Sequence, residues 1–98
     1  MADYILSQRA KGDLRNIWIY TKDTWSVEQA NEYYRSILHD IDQITEKPTI
    51  SGVSYDYVRS GVRGIRSGKH IIFYRILSSN KIRVVRILHE RMDYYKHL

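Results

Sequence analysis

Apolar residues in the first half of the chain recur mostly at intervals of three and four, the spacing of one face of a helix. A short apolar run at residues 3–6 precedes this pattern and predicts a strand. The first helical stretch covers residues 8–23 and follows Ser7, whose hydroxyl can accept hydrogen bonds from the free amides of a helix start. The sequence therefore predicts a strand followed directly by a helix with one buried face.

A second helix begins after Ser26, where the serine and Gln29 have the spacing of a capping box. Its apolar positions continue to about Lys47, and Pro48 should end it because proline lacks the amide hydrogen that a helix interior requires. The short connection predicts that the two helices form an antiparallel hairpin. Trp25 lies at this connection, where it either packs against the hairpin tip or stays exposed as an anchor for a partner.

The second half of the chain has the pattern of a sheet. Residues 62–66, 69–77 and 81–89 predict three strands separated by turns of small and polar residues. The last two are apolar on both faces, which favours central positions, and residues 56–60 could form a further edge strand. The order is β-α-α-β-β-β. We therefore expect one α+β domain over residues 1–98, with the helix hairpin packed on one face of a small, mainly antiparallel sheet.

Charge is distributed unevenly along the chain, although the net charge is only +5. Residues 1–56 carry six Lys/Arg and nine Asp/Glu, whereas residues 57–89 carry eight Lys/Arg and no acid. This asymmetry predicts an anionic partner for the second half. A sheet with solvated basic edges that resist edge pairing is the alternative interpretation. The eight basic residues are Arg59, Arg63, Arg66, Lys69, Arg75, Lys81, Arg83 and Arg86.

Composition excludes several kinds of site. The chain contains no cysteine, which excludes disulfides and thiolate metal ligands. Its four histidines do not pair at the spacing of metal ligands, so we expect neither a metal site nor a cofactor. The chain opens without a secretory signal, and its apolar runs are far shorter than a membrane span. We therefore expect a cytoplasmic protein with no membrane partner.

Short motifs in a fixed order resemble the ParE toxins of the RelE/ParE toxin–antitoxin superfamily. The resemblance covers nearly the whole chain, and its residues are Tyr4-Ile5-Leu6-Ser7 with Ala10 and Asp13-Leu14; Tyr20-Thr21 with Trp25, Gln29-Ala30 and Tyr33; Arg63 with Arg66, His70, Ile72 and Tyr74-Arg75; and Arg86-Ile87-Leu88-His89 with Met92-Asp93 and His97-Leu98. Each motif is short, and the set is specific because of its order. Ser26 departs from the family pattern, which more often has glycine after the tryptophan, but serine also caps a helix.

The resemblance implies a bacterial toxin that inhibits DNA gyrase by trapping its DNA cleavage complex, without being an enzyme. It also implies neutralisation by a ParD-like antitoxin, and the basic run adds DNA bound to gyrase as an expected contact. Charge reversal at Arg63 or Arg66 should weaken one or both partnerships and leave the fold intact. The residues expected to contact gyrase or nucleic acid are Arg59, Arg63, Arg66, His89, Arg91, Met92 and Asp93. Those expected to bind the antitoxin are Trp25, Tyr33, Arg63, Arg75 and Arg83.

The sister branch, the RelE-like toxins, cuts mRNA on the ribosome, and this is the alternative function. Such chemistry needs groups that deprotonate a ribose hydroxyl, protonate the leaving oxygen and stabilise the charged phosphate. The candidates are Arg66, Arg86 and His89. Against it, Tyr74 and Arg75 alternate faces of their strand, and Glu90 and Asp93 would repel RNA. A plain nucleic-acid-binding module is a third hypothesis, although the sequence has no helix-turn-helix, zinc-finger or RNP-type motif.

Overall fold

The structure is a computed structural model that describes residues 3–98. Its elements follow in the order β1 (Asp3–Leu6), α1 (Gln8–Thr24), α2 (Val27–Glu46), α3 (Pro48–Ser51), β2 (Val53–Ser54), β3 (Arg63–Ser67), β4 (His70–Ser78), β5 (Lys81–His89) and α4 (Tyr94–His97). The strands form one sheet in the order β1-β5-β4-β3-β2. β1 pairs with β5 in parallel and the other pairs are antiparallel. The predicted α+β class is confirmed, and β4 and β5 take the central positions that their apolar faces require.

Both long helices start where their serine caps predict. The Ser7 hydroxyl accepts a hydrogen bond from the Ala10 amide at 3.0 Å, and the Ser26 hydroxyl accepts one from the Gln29 amide at 3.1 Å. α2 ends at Glu46, as expected from Pro48. Pro48 is also the first residue of the short helix α3. Proline is tolerated there because the amide of a first helical residue makes no hydrogen bond within the helix.

The hairpin of α1 and α2 covers one side of the sheet, which we call the helix face. Its core residues recur at helical spacing along α1 and α2 and at alternate positions along β4 and β5. Burying each such side chain fully contributes about 1.5–3 kcal/mol, so this layer holds the hairpin and the sheet together. The buried residues of this cluster are Ala10, Leu14, Ile37, Ile41, Ile44, Ile72, Tyr74, Ile82, Val84 and Ile87.

A second apolar cluster covers the other side of the sheet, which we call the opposite face. Its buried members are Val62, Ile71, Phe73 and Leu88. Tyr94 and Leu98 of the C-terminal segment pack against them, together with Tyr55 and Val85. The short helix α4 therefore covers a face that the hairpin leaves open, which explains why β4 and β5 are apolar on both sides.

The predicted edge strand at residues 56–60 is wrong. Val58 and Arg59 donate backbone hydrogen bonds to the Tyr55 carbonyl, which makes this segment a turn. The Asp56 carboxylate accepts a hydrogen bond from the Gly61 amide at 2.8 Å, a local bond that competes with strand pairing. The edge strand is β2 instead, which pairs Val53 and Ser54 with β3. Within residues 3–98, no helix is long and apolar enough to cross a membrane.

Candidate functional site

A cleft of about 710 Å³ opens between the tip of the helix hairpin and the end of the sheet where β4 begins and β5 ends. Trp25 and Tyr33 line it from the hairpin, and His89 and Arg91 line it from the end of β5. The expectation from the sequence is that the first pair binds the antitoxin and that the second pair contacts gyrase or nucleic acid. The structure brings the two pairs together on the walls of one cleft.

Trp25 and Tyr20 project large aromatic side chains into solvent at the rim of this cleft. Each is 70% exposed. Trp25 is the C-cap of α1, where its backbone amide donates to the Thr21 carbonyl, so the backbone is fixed while the indole remains outside. Of the two interpretations of Trp25 from the sequence, the exposed one is therefore correct. Exposed aromatic side chains of this size are typical of protein-binding surfaces.

Tyr33 joins the hairpin to the turn between β3 and β4. Its hydroxyl accepts a hydrogen bond from the Lys69 amide at 2.9 Å and lies 2.7 Å from Nδ1 of His70. Gly68 allows this contact, since a Cβ there would lie 2.6 Å from the Tyr33 ring, and its φ of +60° also favours glycine. Burial is the main cause that raises the pKa of Tyr33, so its hydroxyl stays protonated at neutral pH.

His70 and His89 are direct cross-strand partners on β4 and β5, with ring centroids 5.4 Å apart in an edge-to-face arrangement. Burial, and second the neighbouring His89, lower the pKa of His70 to about 4. His70 is therefore neutral at physiological pH, which suits its contact with the Tyr33 hydroxyl. Nδ1 of His89 accepts a hydrogen bond from the Arg91 amide at 3.2 Å, which places the proton of its neutral form on Nε2.

Arg66 lies on the other side of the sheet from this histidine pair. Ser67, His70 and His89 form one cross-strand row on the helix face, whereas Arg66 belongs to the next row, on the opposite face. Its guanidinium forms an ion pair with Glu90, and this hydrogen bond is the main cause that lowers the pKa of Glu90. Arg66 and His89 therefore do not converge on one substrate position.

Arg86 is also committed elsewhere. Nε and Nη2 of Arg86 donate to the two Asp13 carboxylate oxygens at 2.8 and 2.9 Å, and Nη1 donates to the His97 carbonyl. Asp13 additionally accepts the Ile87 amide at 2.9 Å, where β1 no longer pairs with β5. This ion pair is largely shielded from solvent, with exposed side-chain fractions of 16% and 13%. The candidate catalytic set of Arg66, Arg86 and His89 is thus not assembled in the described chain.

Arg63 is a structural residue in the fold. Its Nη2 donates to the Thr49 carbonyl at 2.9 Å and to the Gly52 carbonyl at 2.5 Å, and Nε lies 3.4 Å from the Tyr74 hydroxyl. These bonds fasten α3 and its following residues to the sheet. We therefore expect charge reversal at Arg63 to disturb this part of the fold as well as any partnership, because glutamate would leave two carbonyls without their donor.

Four other arginines gather on the opposite face. Arg75 and Arg83 are direct cross-strand partners on β4 and β5. Arg75 also lines a groove of about 180 Å³ together with Arg9 and Arg59. We call Arg9, Arg59, Arg75 and Arg83 the arginine cluster. From the sequence, Arg59 is expected to contact gyrase or nucleic acid, whereas Arg75 and Arg83 are expected to bind the antitoxin. The structure places all three on one surface.

Met92 and Asp93 connect the cleft to the C-terminal helix. Met92 is 39% exposed, and its amide donates to the His89 carbonyl at 3.0 Å. Asp93 caps α4, since its carboxylate accepts the Tyr95 amide at 3.0 Å. The Met92 side chain is therefore accessible from solvent, whereas Asp93 already has a structural role.

Several residues near these surfaces were not assigned from the sequence, among them Tyr20, Lys69 and His70 in the cleft and Arg9 in the cluster. His70 could have been found, because pairing the last two predicted strands as a hairpin brings their far ends together. Arg9 had no such signal, since its place depends on how α1 crosses the sheet. Within residues 3–98, no group of three or more His, Asp or Glu side chains is arranged to hold a metal ion.

Comparison with known proteins decides the family. Residues 4–94 match the family described as "ParE toxin of type II toxin-antitoxin system, parDE". The chain belongs to the ParE toxin family. It is similar to Toxin ParE1 of Mycobacterium tuberculosis (strain H37Rv), with 42% identity over 95 residues that cover 97% of this chain and 96% of the relative.

Two further comparisons extend this result. Toxin ParE1 of Caulobacter vibrioides (strain CB 15) is 40% identical over 98 residues, covering 100% of this chain and 99% of the relative. Among solved structures, one titled "Chromosomal ParDE TA system from P. aeruginosa" superimposes with a TM-score of 0.76 at 18% identity, over 91% of this chain and 96% of that chain. At that identity the superposition shows a shared fold.

Proposed function

We propose that this ParE-family protein inhibits DNA gyrase by trapping its DNA cleavage complex, and that a ParD-like antitoxin neutralises it in the cytoplasm. Membership of the ParE toxin family supports the toxin role. The observation that carries a non-enzymatic mechanism is the commitment of Arg86 to Asp13, with Arg66 on the other side of the sheet from His89. Because these three candidates do not converge on one position, the proposal assigns the effect on gyrase to binding.

The cleft is the proposed meeting point of the two partners. Trp25 and Tyr33 on one wall would receive an amphipathic segment of the antitoxin, with Trp25 as the apolar anchor. His89, Arg91 and the neighbouring Met92 would contact gyrase. Because these residues line or adjoin the same cleft, a bound antitoxin segment would cover the gyrase contacts. Neutralisation would then occur by occlusion.

The test uses purified protein free of antitoxin, DNA gyrase, supercoiled plasmid and ATP. After detergent and protease treatment, linear or nicked plasmid that appears only with gyrase and this protein together supports the proposal. Arg91→Glu should reduce this cleavage, whereas Arg35→Glu, an exposed position on α2, should not. Absence of cleavage by protein that circular dichroism shows to be folded would overturn the proposal.

One observation favours the ribosome-dependent endonuclease as a second candidate. Tyr33, Lys69, His70 and His89 line the same cleft, and these side-chain types carry out general acid–base catalysis in other enzymes. A neutral His70 beside His89 supplies a proton acceptor in the correct ionisation state. Cleavage of mRNA on purified ribosomes, abolished by His89→Ala and retained in Arg91→Ala, would establish this function in place of gyrase inhibition.

A further inference from the structure

The arginine cluster concentrates positive charge that Asp and Glu side chains do not neutralise. Within residues 3–98, no Asp or Glu side chain forms an ion pair with any of its four members, whereas Arg66, Lys81 and Arg86 each have an acidic partner. Arg86, which is paired, and Arg83, which is not, lie on the same strand, β5.

The position of Arg75 and Arg83 makes this arrangement unfavourable in the isolated protein. They face each other directly across the antiparallel pair of β4 and β5, and like charges at such positions repel. Arg59 and Arg9 add to the same field from the rim of the adjoining groove. An anion bound across the cluster would remove this repulsion.

Two of the guanidinium groups are held in place before any ligand binds. Nη1 of Arg75 donates to the Ser60 carbonyl at 2.8 Å, and Nη1 of Arg59 donates to the Leu98 backbone oxygen at 2.7 Å. Gly61, with a φ of +80°, makes room for Arg75, since a Cβ there would lie 2.6 Å from Nη1. Each guanidinium keeps further N–H donors for a ligand, and its planar fork matches the oxygens of a phosphate.

We propose that the arginine cluster binds the phosphate backbone of duplex DNA without regard to sequence. The cluster extends from the start of α1 across β5 and β4 to the turn before β3, a surface for a polyanion larger than a single ion. Backbone phosphates contacted by arginines give affinity and no base readout. The inference rests on the proposed function in one respect, since a gyrase cleavage complex supplies DNA as the partner.

The test measures fluorescence anisotropy of a fluorescein-labelled duplex of mixed sequence, titrated with the protein at several KCl concentrations. Neutralising about four phosphates predicts that log K falls with log salt with a slope of about −3.6. Arg83→Gln should weaken binding and make the slope shallower by about 0.9. Arg35→Gln removes the same charge from exposed helix α2 and should leave both quantities unchanged.

Several outcomes would overturn the inference. They are a wild-type protein that does not bind the duplex, equal effects of Arg83→Gln and Arg35→Gln, and polyglutamate binding as tightly as DNA with the same salt dependence. The last result would make the cluster a site for acidic peptide. Arg83→Lys, which keeps the charge, should retain most of the salt slope and shows that charge, not misfolding, sets the effect.

The plasmid assay separates this inference from the proposed function. If the wild type does not bind DNA and gyrase-dependent cleavage is unchanged in Arg83→Gln, the inference is wrong and gyrase remains the proposed target. If the wild type binds DNA more tightly than Arg83→Gln but causes no gyrase-dependent cleavage, the inference stands and gyrase is not the target.

Discussion

The cleft and the arginine cluster use the two faces of one sheet in different ways. In the cleft, Tyr33, Lys69 and His70 are joined by hydrogen bonds, and two large aromatic side chains, Tyr20 and Trp25, are exposed at its rim together with the charged side chain of Arg91. In the cluster, Arg75 and Arg83 face each other as direct cross-strand partners. We therefore expect apolar contact to contribute more to binding in the cleft, and charge to contribute more to binding on the cluster.

This difference has a measurable consequence in salt. Apolar contacts with Trp25 are insensitive to moderate ionic strength. Contacts between arginines and phosphates weaken steeply, because the entropy gained when counterions leave the DNA falls as the salt concentration rises. Binding at the two faces can thus be separated by one titration with KCl. Substitutions on one face of the sheet should also leave binding at the other face unchanged, so each variant tests one face by itself.

Arg86 differs from the arginines of the cluster because it pairs with Asp13. Removing the Asp13 carboxylate should have the largest effect on stability of the changes proposed here. Asp13→Ala leaves Arg86 shielded and without its carboxylate, and it removes the acceptor of the Ile87 amide. Breaking a largely buried pair from one side predicts a loss of about 3 kcal/mol in the free energy of unfolding, measured by urea denaturation. Asp23→Ala, in an exposed pair with Lys22, should change it by less than about 1 kcal/mol. Equal losses in the two variants would contradict the structural role of Asp13.

Trp25 tests the cleft by itself. Trp25→Ala should weaken binding of a ParD-like antitoxin by about 2 kcal/mol or more, roughly 30-fold in Kd, because the indole is the largest exposed anchor at the rim. The unfolding free energy should change by less than about 0.5 kcal/mol, since the side chain is already exposed. Isothermal titration calorimetry measures the first quantity and urea denaturation the second.

Tyr57→Ala supplies the matched control for this variant. Tyr57 is an aromatic residue of similar exposure, 69%, outside the residues that line the cleft. It should leave the antitoxin Kd unchanged. If Tyr57→Ala weakens binding as much as Trp25→Ala, the antitoxin does not use the cleft as its main contact.

Local signals in the sequence predicted the elements that depend on neighbouring residues. The start and end of each long helix depend on residues only a few positions away. Ser7 and Ser26 cap the helices by local hydrogen bonds, and Pro48 lacks the amide hydrogen that would continue α2, so these effects can be predicted from the sequence. β4 and β5 are apolar on both faces, and this property of the sequence predicted their central positions. The ParE family followed from the order of such short motifs.

The roles of the arginines could not be read in this way. The acceptor that holds Arg86 lies 73 residues away at Asp13, and Arg63 is held by carbonyls that only the tertiary fold brings near. A run of basic residues therefore contains two populations that look identical in sequence. Arg63 and Arg86 stabilise the fold, whereas Arg59, Arg75 and Arg83 form the charged surface.

His70 gives the cleft a dependence on pH. The pKa of His70 is about 4 in the folded protein and about 6.5 in the unfolded chain, so the unfolded state binds more protons between these two pH values. The contribution of His70 to the free energy of unfolding should be fully present above about pH 6.5, and it should decrease as the pH falls toward 4. With allowance for partial exposure of the ring, the loss is about 2 kcal/mol. Urea denaturation across this range should show a shallower pH dependence in His70→Gln than in His39→Gln, which changes an exposed helix residue. Equal slopes would mean that His70 titrates normally.

A substitution at Arg83 tests the cluster in the absence of a ligand. The expected change in the free energy of unfolding is small, and it is an increase, whereas the other substitutions lower stability or leave it unchanged. Arg83→Gln relieves the repulsion with Arg75, so the free energy of unfolding should rise by about 0.5 kcal/mol at low ionic strength. The gain should shrink in high salt, since the charges are exposed and screened. Arg35→Gln should show neither effect. A loss of stability in Arg83→Gln would mean that Arg83 stabilises the sheet, and the cluster would then need no anion to explain it. A gain in stability combined with weaker DNA binding has a different meaning, because a residue that destabilises the free protein and strengthens the complex is placed there for binding.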